Sequence, residues 1–577
     1  MGTSGARTGY KIFSINTTIR NPKRNFDFLD AFRKFDGKVM DSTNLYNYFF
    51  ELVKRGIYQF TNIPQSVKDK LDLDLELTPQ EVREAINDNP QATGLSGRVM
   101  TQLRALKDLS LLEFEETGNR RLDRVVKISK LGHELLNNPE NAQNIYTKIM
   151  LGIQANNPCR VNQLNESRPF LNTLFVINEV NKEWKRLGND PKGILLHEFA
   201  VFVLSMKDCD YKSAAQEIIK YRKKYKYEIF KPYLQKYLQD NDILPLEWKS
   251  VVRDYPDEVF RKFEMTGLVI KHGKFSYTYI NYSSYNLQKV MSILESYQDY
   301  KYIEFRKAQD YYNFQQDISL PWEKSDIIRR QIVKAKATVL NSTIDSSLTL
   351  EQQEAMLDRI FFNQALSKAV ARYDDKLILK ELLILSGTER GRSSFDDISE
   401  PLRLEYLLAL ALGKKYGTKG LVSNIIYNED GLPLHCAPSS KCDVIYHHQD
   451  GSYILEPTMQ RGRISQMNSE TTNVVRHVKD EERRTGLSYR VMMVAPNIHP
   501  DVVDFFQYKH TRENVKIVSI NIDWIVNLFF ESSTVVEMNS NYDSTLHDSE
   551  ILSNTEFADK INGYKFDLNR LESGTSN

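Results

Sequence analysis

The sequence has few cysteines, and their scarcity excludes one class of protein. Only four of the 577 residues are cysteine, at Cys159, Cys209, Cys436 and Cys442. Four thiols are too few to form the disulfide framework that holds small secreted domains together. We therefore expect a protein of a reducing compartment, the cytoplasm.

Long apolar runs are also missing. The longest, YLLALALG and VMMVA, are much shorter than the roughly 20 residues that a membrane helix needs. The opening MGTSGARTGYKIF lacks the apolar core of a secretory signal, so no membrane partner is expected. The segment GKKYGTKG lacks the Gly-Lys-Ser/Thr ending of a phosphate loop, which argues against an ATP-driven enzyme.

The chain has no excess of charge of either sign. Its 77 lysines and arginines almost balance its 76 acidic residues, and the formal net charge is +1. If the protein binds nucleic acid, the binding must come from local basic clusters. A chain of this length exceeds the size of one hydrophobic core, so we expect several domains.

A first basic cluster lies in the opening stretch SINTTIRNPKRNFDFLDAFRKFDGKV. Arg20, Lys23 and Arg24 directly precede an amphipathic helix that has Phe28 and Phe32 on its apolar face. Such a cluster is usually a solvated surface, and phosphate groups are its next most common partner.

Residues 94–137 have the element order of a winged helix. The segment GRVMTQLRALKDLS predicts a helix with Val99, Leu103 and Leu106 on one apolar face. The strand LLEFEE, the basic turn TGNRR, the strand RVVKIS and a helix from Lys130 follow. In a winged helix, one helix enters the major groove of DNA. An αββα piece of generic core is the alternative interpretation.

The same order recurs around residues 256–295, which indicates a composite DNA-reading half. The segments PDEVFRKFEM, LVIK, HGK, SYTYIN and NLQKVMSIL predict helix, strand, turn, strand and helix. We expect base contacts from helices near 96–108 and 256–264. The predicted DNA-binding residues of this half are Arg20, Lys23, Arg24, Arg98, Gln102, Arg261, Lys271 and Lys274.

A predicted hairpin carries two acids. The runs DVIYHH and SYILEP flank Asp450-Gly451, a strong signal for a two-residue turn. That turn sets Ile445 opposite Glu456 and Asp443 opposite Thr458, so both acids share one face, diagonal to each other. Mg²⁺ accepts one or two carboxylates and makes its bound water more acidic, which suits phosphodiester hydrolysis. A surface hairpin that happens to carry two acids is the alternative.

Further residues extend this candidate site. Glu405 lies in the strongly apolar helix SEPLRLEYLLALALG, where a buried acid costs free energy unless it has a partner. It either supplies another ligand or points to solvent. Downstream, Arg476 and His477 could meet phosphate or organise the acids. Zinc is disfavoured, because the spacing of the cysteines and histidines nearby fits none of the usual structural patterns.

These patterns predict four parts. Residues 1–150 and 151–295 form two recognition subdomains with winged helices, the charged helical stretch 296–345 is a linker, and 346–577 form the domain that carries the acids. In this last part, YRVMMVAP and VKIVSIN are buried strands separated by a helix. Strands that alternate with helices indicate an α/β layer around a mixed sheet. The predicted fold class is therefore multidomain, with an α+β half followed by an α/β domain.

At these residues the sequence resembles the AlwI family of type IIS restriction endonucleases, which belongs to the PD-(D/E)xK superfamily and includes strand-specific nicking relatives. The resemblance spans most of the chain. It is carried by the opening stretch, by MTGLVIKHGKFSYTYIN, by EYLLALAL, and by CDVIYHHQDGSYILEPTM followed by RHV. It implies recognition of a short asymmetric DNA site by the first half and Mg²⁺-dependent cleavage a few bases outside that site by a PD-(D/E)xK domain.

The resemblance also implies roles for individual residues. Asp443, Glu456 and Glu405 become metal ligands, and Glu470 and Thr458 complete the catalytic set, with Arg476 and His477 near the DNA. The sequence departs from the superfamily pattern in two places. Cys442 stands where a proline is usual before the aspartate, and Thr458 stands where a lysine is usual. Either Gln460 or Arg461 could replace that lysine.

The implied partners are double-stranded DNA, a second copy of the chain that meets it transiently through the cleavage domain, and a cognate DNA methyltransferase. The implied setting is the cytoplasm of a bacterium or archaeon. Two other hypotheses stay open: an enzyme that nicks one strand, and a winged-helix DNA-binding regulator without catalysis.

Overall fold

The computed structural model describes residues 7–15, 18–19, 22–54, 57–58, 78–87, 95–115, 124–160, 162–272, 278–395, 398–436, 441–463 and 466–573. The chain divides into two compact units. The first comprises Met1–Gln59 and Gln91–Leu357, and the second comprises Phe60–Pro90 and Asp358–Asn577. Within the described ranges, no helix is both long and apolar enough to cross a membrane.

The first unit begins with a small antiparallel sheet covered by helices. Its strands are β1 (Lys38–Val39), β2 (Leu112–Glu115) and β3 (Val125–Ile128), in the order β1-β3-β2. The helices of this module are Asn25–Phe32, Ser42–Lys54, Leu95–Asp108 and Lys130–Asn137, with short 3₁₀ turns at Pro22–Arg24, Arg33–Phe35 and Pro139–Asn141. Val99, Leu103 and Leu106 are fully buried, which confirms the predicted apolar face.

A second module of the first unit repeats this order. Its strands are β4 (Ile194–Leu195), β5 (Val269–His272) and β6 (Tyr279–Tyr282), in the order β4-β6-β5. The helices that precede the hairpin β5–β6 are Pro169–Arg186, Leu196–Glu198 continued by the π-helix Phe199–Val203, Tyr211–Tyr225, Lys231–Asp240, and the π-helix Ser250–Asp254 continued by Tyr255–Glu264. In both modules the first strand therefore pairs with the third.

The remaining helices of the first unit include those of the expected linker. They are Ala142–Gly152, Leu287–Ser296, Ala308–Gln316, Pro321–Lys324 and Asp326–Val339. Tyr312 accepts a hydrogen bond from the Phe114 backbone N–H at 3.4 Å, and Ser110 donates to Gln315 at 2.5 Å. Residues 308–316 therefore pack onto the first module. The helix Leu350–Arg372 contains the boundary between the two units.

The second unit is built on the mixed sheet that the sequence predicts. Its order is β13-β12-β11-β10-β7, with β7 (Leu421–Ser423), β10 (Val444–Tyr446), β11 (Tyr453–Pro457), β12 (Arg490–Ala495) and β13 (Ile517–Asn521). The pairs β7–β10 and β10–β11 are antiparallel, and β11–β12 and β12–β13 are parallel. The strands β8 (Ile425–Tyr427) and β9 (Pro433–Cys436) form a separate ladder.

Helices complete the core of the second unit. They are Pro79–Asn87, Asp375–Ser386, Glu400–Tyr416, the π-helix Gln466–Thr471 continued by Thr472–Thr485, Pro500–Glu513, Ile522–Glu531, Val535–Ile551, Asn554–Gly563 and Leu568–Ser573. The helix Glu400–Tyr416 is buried at every position from Leu402 to Gly413, because it contacts β7, β9, β10 and β11. A helix buried on all sides explains the continuous apolar run in its sequence.

Candidate active site

The hairpin that carries the acids forms, but its register differs from the predicted one by two residues. The structure pairs Val444 with Leu455, Ile445 with Ile454 and Tyr446 with Tyr453. The predicted pairing of Ile445 with Glu456 is therefore wrong. A shift of two residues keeps every side chain on its predicted face. Continued by one residue, the observed register sets Asp443 directly opposite Glu456.

Contacts outside the hairpin explain the longer connection. The backbone N–H of His447 donates to the carbonyl of Gly420, beside β7, at 2.9 Å. The side chain of Asn539, on the helix Val535–Ile551, donates to the carbonyl of Asp450 at 2.7 Å. These bonds hold residues 447–452 as a six-residue loop, so Asp450-Gly451 is not a two-residue turn.

The acids lie in a poorly solvated environment. Glu456 is 5% exposed and Glu405 is 8% exposed, and Asp443 and Glu470 are half-buried. Burial raises the pKa of Asp443 well above its usual range, and the charges of Glu456, Glu405 and Glu470 raise it further. The other three acids that the sequence proposed are thus near enough to Asp443 to act on it electrostatically. Like charges in such a place favour a proton or a bound cation as compensation.

His477 lies against Glu456. The two side chains are 8% and 5% exposed, and His477 Nδ1 is 3.4 Å from Glu456 Oε2. Burial raises the pKa of Glu456, and the hydrogen bond and charge of His477 oppose that shift. Arg476, its neighbour, is exposed, with Nη2 at 3.5 Å from His477 Nε2. Of the two predicted DNA contacts, His477 is therefore turned toward the acids and Arg476 toward solvent.

Thr458 is linked to Glu470. Its hydroxyl donates to Glu470 Oε1 at 3.2 Å and accepts from the backbone N–H of Gln460 at 3.1 Å. Burial raises the pKa of Glu470, while the hydrogen bond from Thr458 lowers it. The Thr458 hydroxyl is neutral, so it does not supply the positive charge of the lysine that is usual at this position. In this structure it orients the carboxylate of Glu470.

Cys442, which in the sequence is only a departure from the superfamily motif, is a neighbour of the acids. Its side chain is 4% exposed. Burial raises the pKa of its thiol well above the usual range, and the adjacent charge of Glu456 raises it further. The one signal in the sequence was its position next to Asp443.

Two of the acids, Asp443 and Glu456, are suited to hold a hard cation between their carboxylates. Glu456 Oε1 is buried and has no hydrogen-bond partner within the part of the chain that the structure describes. A buried carboxylate oxygen without a donor is costly, and a cation beside Asp443 and Glu456 would compensate it. Among the described residues, no group of three or more His, Cys, Asp or Glu side chains is spaced to hold a metal ion. Two carboxylates match what Mg²⁺ usually accepts from a protein.

The predicted DNA-binding residues of the first module divide into three groups. Arg20 and the side chain of Lys23 lie outside the described residues. Arg24 and Arg98 are exposed, and Arg24 also donates to the carbonyl of Ile57. Gln102 is 4% exposed, so its side chain does not reach the surface on which Arg98 lies.

In the second module, the predicted DNA-binding residues that the structure describes form ion pairs with an acidic side chain. Arg261 and Lys271 both pair with Asp257, at 2.8 and 3.0 Å. Lys262 is buried against Glu258 at 3.0 Å. Lys274 lies outside the described residues.

Carboxylates gathered on a hairpin of an α/β sheet define a candidate hydrolytic site of the kind that uses a hard cation. The family model described as AlwI restriction endonuclease matches residues 114–528. This match covers more than half of the chain, so the chain belongs to the AlwI restriction endonuclease family. Members are nucleases that act on DNA.

The other comparisons found weaker likenesses. No curated protein matches the chain. Among solved structures, the small subunit of the heterodimeric restriction endonuclease R.BspD6I is 17% identical, with a TM-score of 0.26, covering 34% of this chain and 98% of that one. The restriction endonuclease FokI is 11% identical, with a TM-score of 0.18, covering 95% of this chain and 74% of that one. Both TM-scores are low, so the assignment rests on the sequence family alone.

Proposed function

We propose that the chain is a type IIS restriction endonuclease that recognises a short asymmetric DNA sequence and hydrolyses phosphodiester bonds a few bases outside it with Mg²⁺. One observation carries the proposal. In a member of a restriction endonuclease family, Asp443 and Glu456 flank the observed hairpin pairs at positions that oppose each other when the register is continued by one residue, and the charges of Glu405 and Glu470 act on Asp443 as well. We infer that the second unit is a PD-(D/E)xK cleavage domain.

The metal would be held by Asp443 and Glu456, with Glu405 as a third acid nearby. When bound, Mg²⁺ acidifies a water molecule and neutralises charge that develops on the phosphate. The residues of the chain have separate tasks around it. His477 orients Glu456 through its Nδ1, and the Thr458 hydroxyl orients Glu470.

The topology of the first unit supports DNA reading by winged helices. In a winged helix, a third helix precedes a hairpin, and a short strand from earlier in the chain adds to that hairpin. The sheet orders β1-β3-β2 and β4-β6-β5 both follow this scheme. Leu95–Asp108 and Tyr255–Glu264 are then the recognition helices. Arg98 is the candidate base contact, because it is exposed on the first of them.

Partners follow from the reaction. Double-strand cleavage with one acid site per chain requires two cleavage domains to meet, so we propose a transient homodimer on double-stranded DNA. A host that carries such an enzyme must protect its own sites, and a cognate DNA methyltransferase is the expected partner.

The test is incubation of the protein with supercoiled plasmid and with DNA of mixed sequence, in Mg²⁺ or in chelator, followed by sequencing of the ends. We expect discrete Mg²⁺-dependent ends at a fixed distance from one shared short motif. Nicks on one strand that never proceed to linear product would identify a nicking enzyme. DNA that is bound but stays intact would identify a regulator without catalysis.

A further inference from the structure

The first unit contains a short segment with an extreme local charge. Residues 220–236 contain seven lysines and arginines and one acid, in a chain whose charges nearly cancel overall. Four tyrosines and one phenylalanine are interleaved with them. None of these residues belongs to the two hairpins or to the helices proposed to read bases.

The segment covers one end of a pair of parallel helices. The ring of Phe175 is 4.8 Å from Tyr211 near one end, and the indole N–H of Trp184 donates to the Tyr227 hydroxyl at 3.2 Å near the other. Pro169–Arg186 and Tyr211–Tyr225 therefore run in the same direction, and their carboxyl ends lie together. Arg222 is the inward cation of the segment, because it is buried against Glu198 at 2.6 Å.

Four of the other six cations form an outward surface, which we call the basic platform: Lys223, Lys224, Lys226 and Lys231. All four are exposed. Two of them lie over aromatic rings, with Lys224 Nζ 5.2 Å from the centre of Tyr225 and Lys231 Nζ 5.8 Å from Trp248.

The loop that carries the basic platform is fixed in place. Tyr221 donates to the carbonyl of Glu228 at 2.5 Å and accepts from the Phe230 N–H at 2.8 Å. The rings of Tyr225 and Phe230 stack at 4.4 Å with 12° between their planes, and Phe230 is still 42% exposed. The platform is therefore a preformed surface, and binding would cost little ordering entropy.

A structural role explains only part of this charge. Cations in the last turn of a helix interact favourably with its dipole, which accounts for Lys223 and Lys224. Lys231 is the first residue of the helix Lys231–Asp240, where a cation is unfavourable and no acid stands in the first turn. Lys226 has a backbone φ of 53°, a conformation that is unfavourable for a lysine. Helix electrostatics and backbone preference therefore do not explain the cations at these two positions.

We propose that the basic platform binds the phosphate backbone of duplex DNA independently of sequence, in addition to the contacts of the recognition helices. This inference rests on the proposed function. Exposed ammonium groups on a rigid aromatic surface suit phosphate oxygens and sugar, and contain no group aimed at base edges. The platform would set overall affinity and leave the choice of sequence to the two modules.

The test uses the full chain with Lys224, Lys226 and Lys231 changed to Gln. The matched control changes three other exposed lysines of the first unit, Lys301, Lys307 and Lys334, to Gln. Binding to a duplex that carries the recognition sequence and to one that lacks it is measured at several salt concentrations. Thermal melts establish that both variants fold.

Each lost phosphate contact makes the slope of log affinity against log salt shallower by about 0.9. At 0.1 M salt this corresponds to a loss of roughly eightfold in affinity for each contact. We expect the platform variant to lose about one to three contacts on both duplexes, with an unchanged preference between them. Equal slopes for the platform variant and the control would overturn the inference. So would a loss confined to the specific duplex. If the unaltered protein bound no DNA, the proposed function itself would fail.

Discussion

The substitution Asp443→Asn should stabilise the metal-free protein while it abolishes cleavage. Directly opposite positions on an antiparallel pair have Cβ atoms about 5 Å apart. Two unit charges at about 5 Å repel by roughly 3 kcal/mol at an effective dielectric constant of about 20. Burial already favours protonation of one acid, so part of this repulsion is relieved. We expect the free energy of unfolding to rise by about 1 to 3 kcal/mol.

The assay is a thermal melt in chelator and in Mg²⁺, with Asp450→Asn as the control. Asp450 is an exposed acid in the loop of the same hairpin. For a unit of this size, each kcal/mol shifts the melting temperature by about 2–4 °C. In chelator, Asp443→Asn should therefore melt about 2–12 °C above the unaltered protein. In Mg²⁺ the difference should shrink, since only the unaltered protein gains from the bound ion.

The control should melt within about 1 °C of the unaltered protein in both buffers, because exposed substitutions usually change stability by at most about 0.5 kcal/mol. A lower melting temperature for Asp443→Asn in chelator would refute the reasoning. It would mean that the Asp443 carboxylate contributes to the fold, and that the acids do not oppose each other in the absence of metal.

Three further predictions address other parts of the structure. Glu405→Gln should slow plasmid cleavage about 10- to 100-fold with unchanged DNA binding in a gel-shift assay, because it removes a charge and little volume. Gly420→Ala should destabilise the second unit by more than about 2 kcal/mol in urea unfolding, because Gly420 has a φ of 88° and an added Cβ would lie 2.1 Å from the His447 carbonyl oxygen. Arg222→Met should lower the free energy of unfolding by about 3–5 kcal/mol, because it leaves the buried charge of Glu198 unpaired. The double change Arg222→Met with Glu198→Leu should lower it much less, because it removes both charges. Equal losses of unfolding free energy in the single and the double variant would contradict the conclusion that Arg222 and Glu198 compensate each other as a buried pair.

The elements of the candidate site follow from the sequence because they depend on local patterns. Alternation along two short strands placed Asp443 and Glu456 on one face, and the apolar run around Glu405 predicted its helix. The register of the hairpin did not follow from the sequence, because hydrogen bonds to Gly420 and from Asn539 hold the hairpin loop open. Those partners are distant in sequence, and no local turn preference contains them.

In the first unit, too, local patterns were predictable from the sequence and contacts between distant residues were not. The helices and hairpins that are continuous in sequence were predictable from their periodicity. The two-residue strands β1 and β4, which pair with β3 and β6, have no pattern long enough to detect. The inward turn of Gln102 was also hidden. Its position on the helix is polar, and only the packing around it decides that it is buried.

The most direct test of the central claim is plasmid cleavage by the unaltered protein, Asp443→Asn and Asp450→Asn, at equal concentration and in Mg²⁺. The account predicts cleavage at the same positions by the unaltered protein and Asp450→Asn. It predicts intact plasmid with Asp443→Asn, although that variant still binds the DNA. Cleavage by Asp443→Asn at the rate of the unaltered protein would contradict the assignment of the active site.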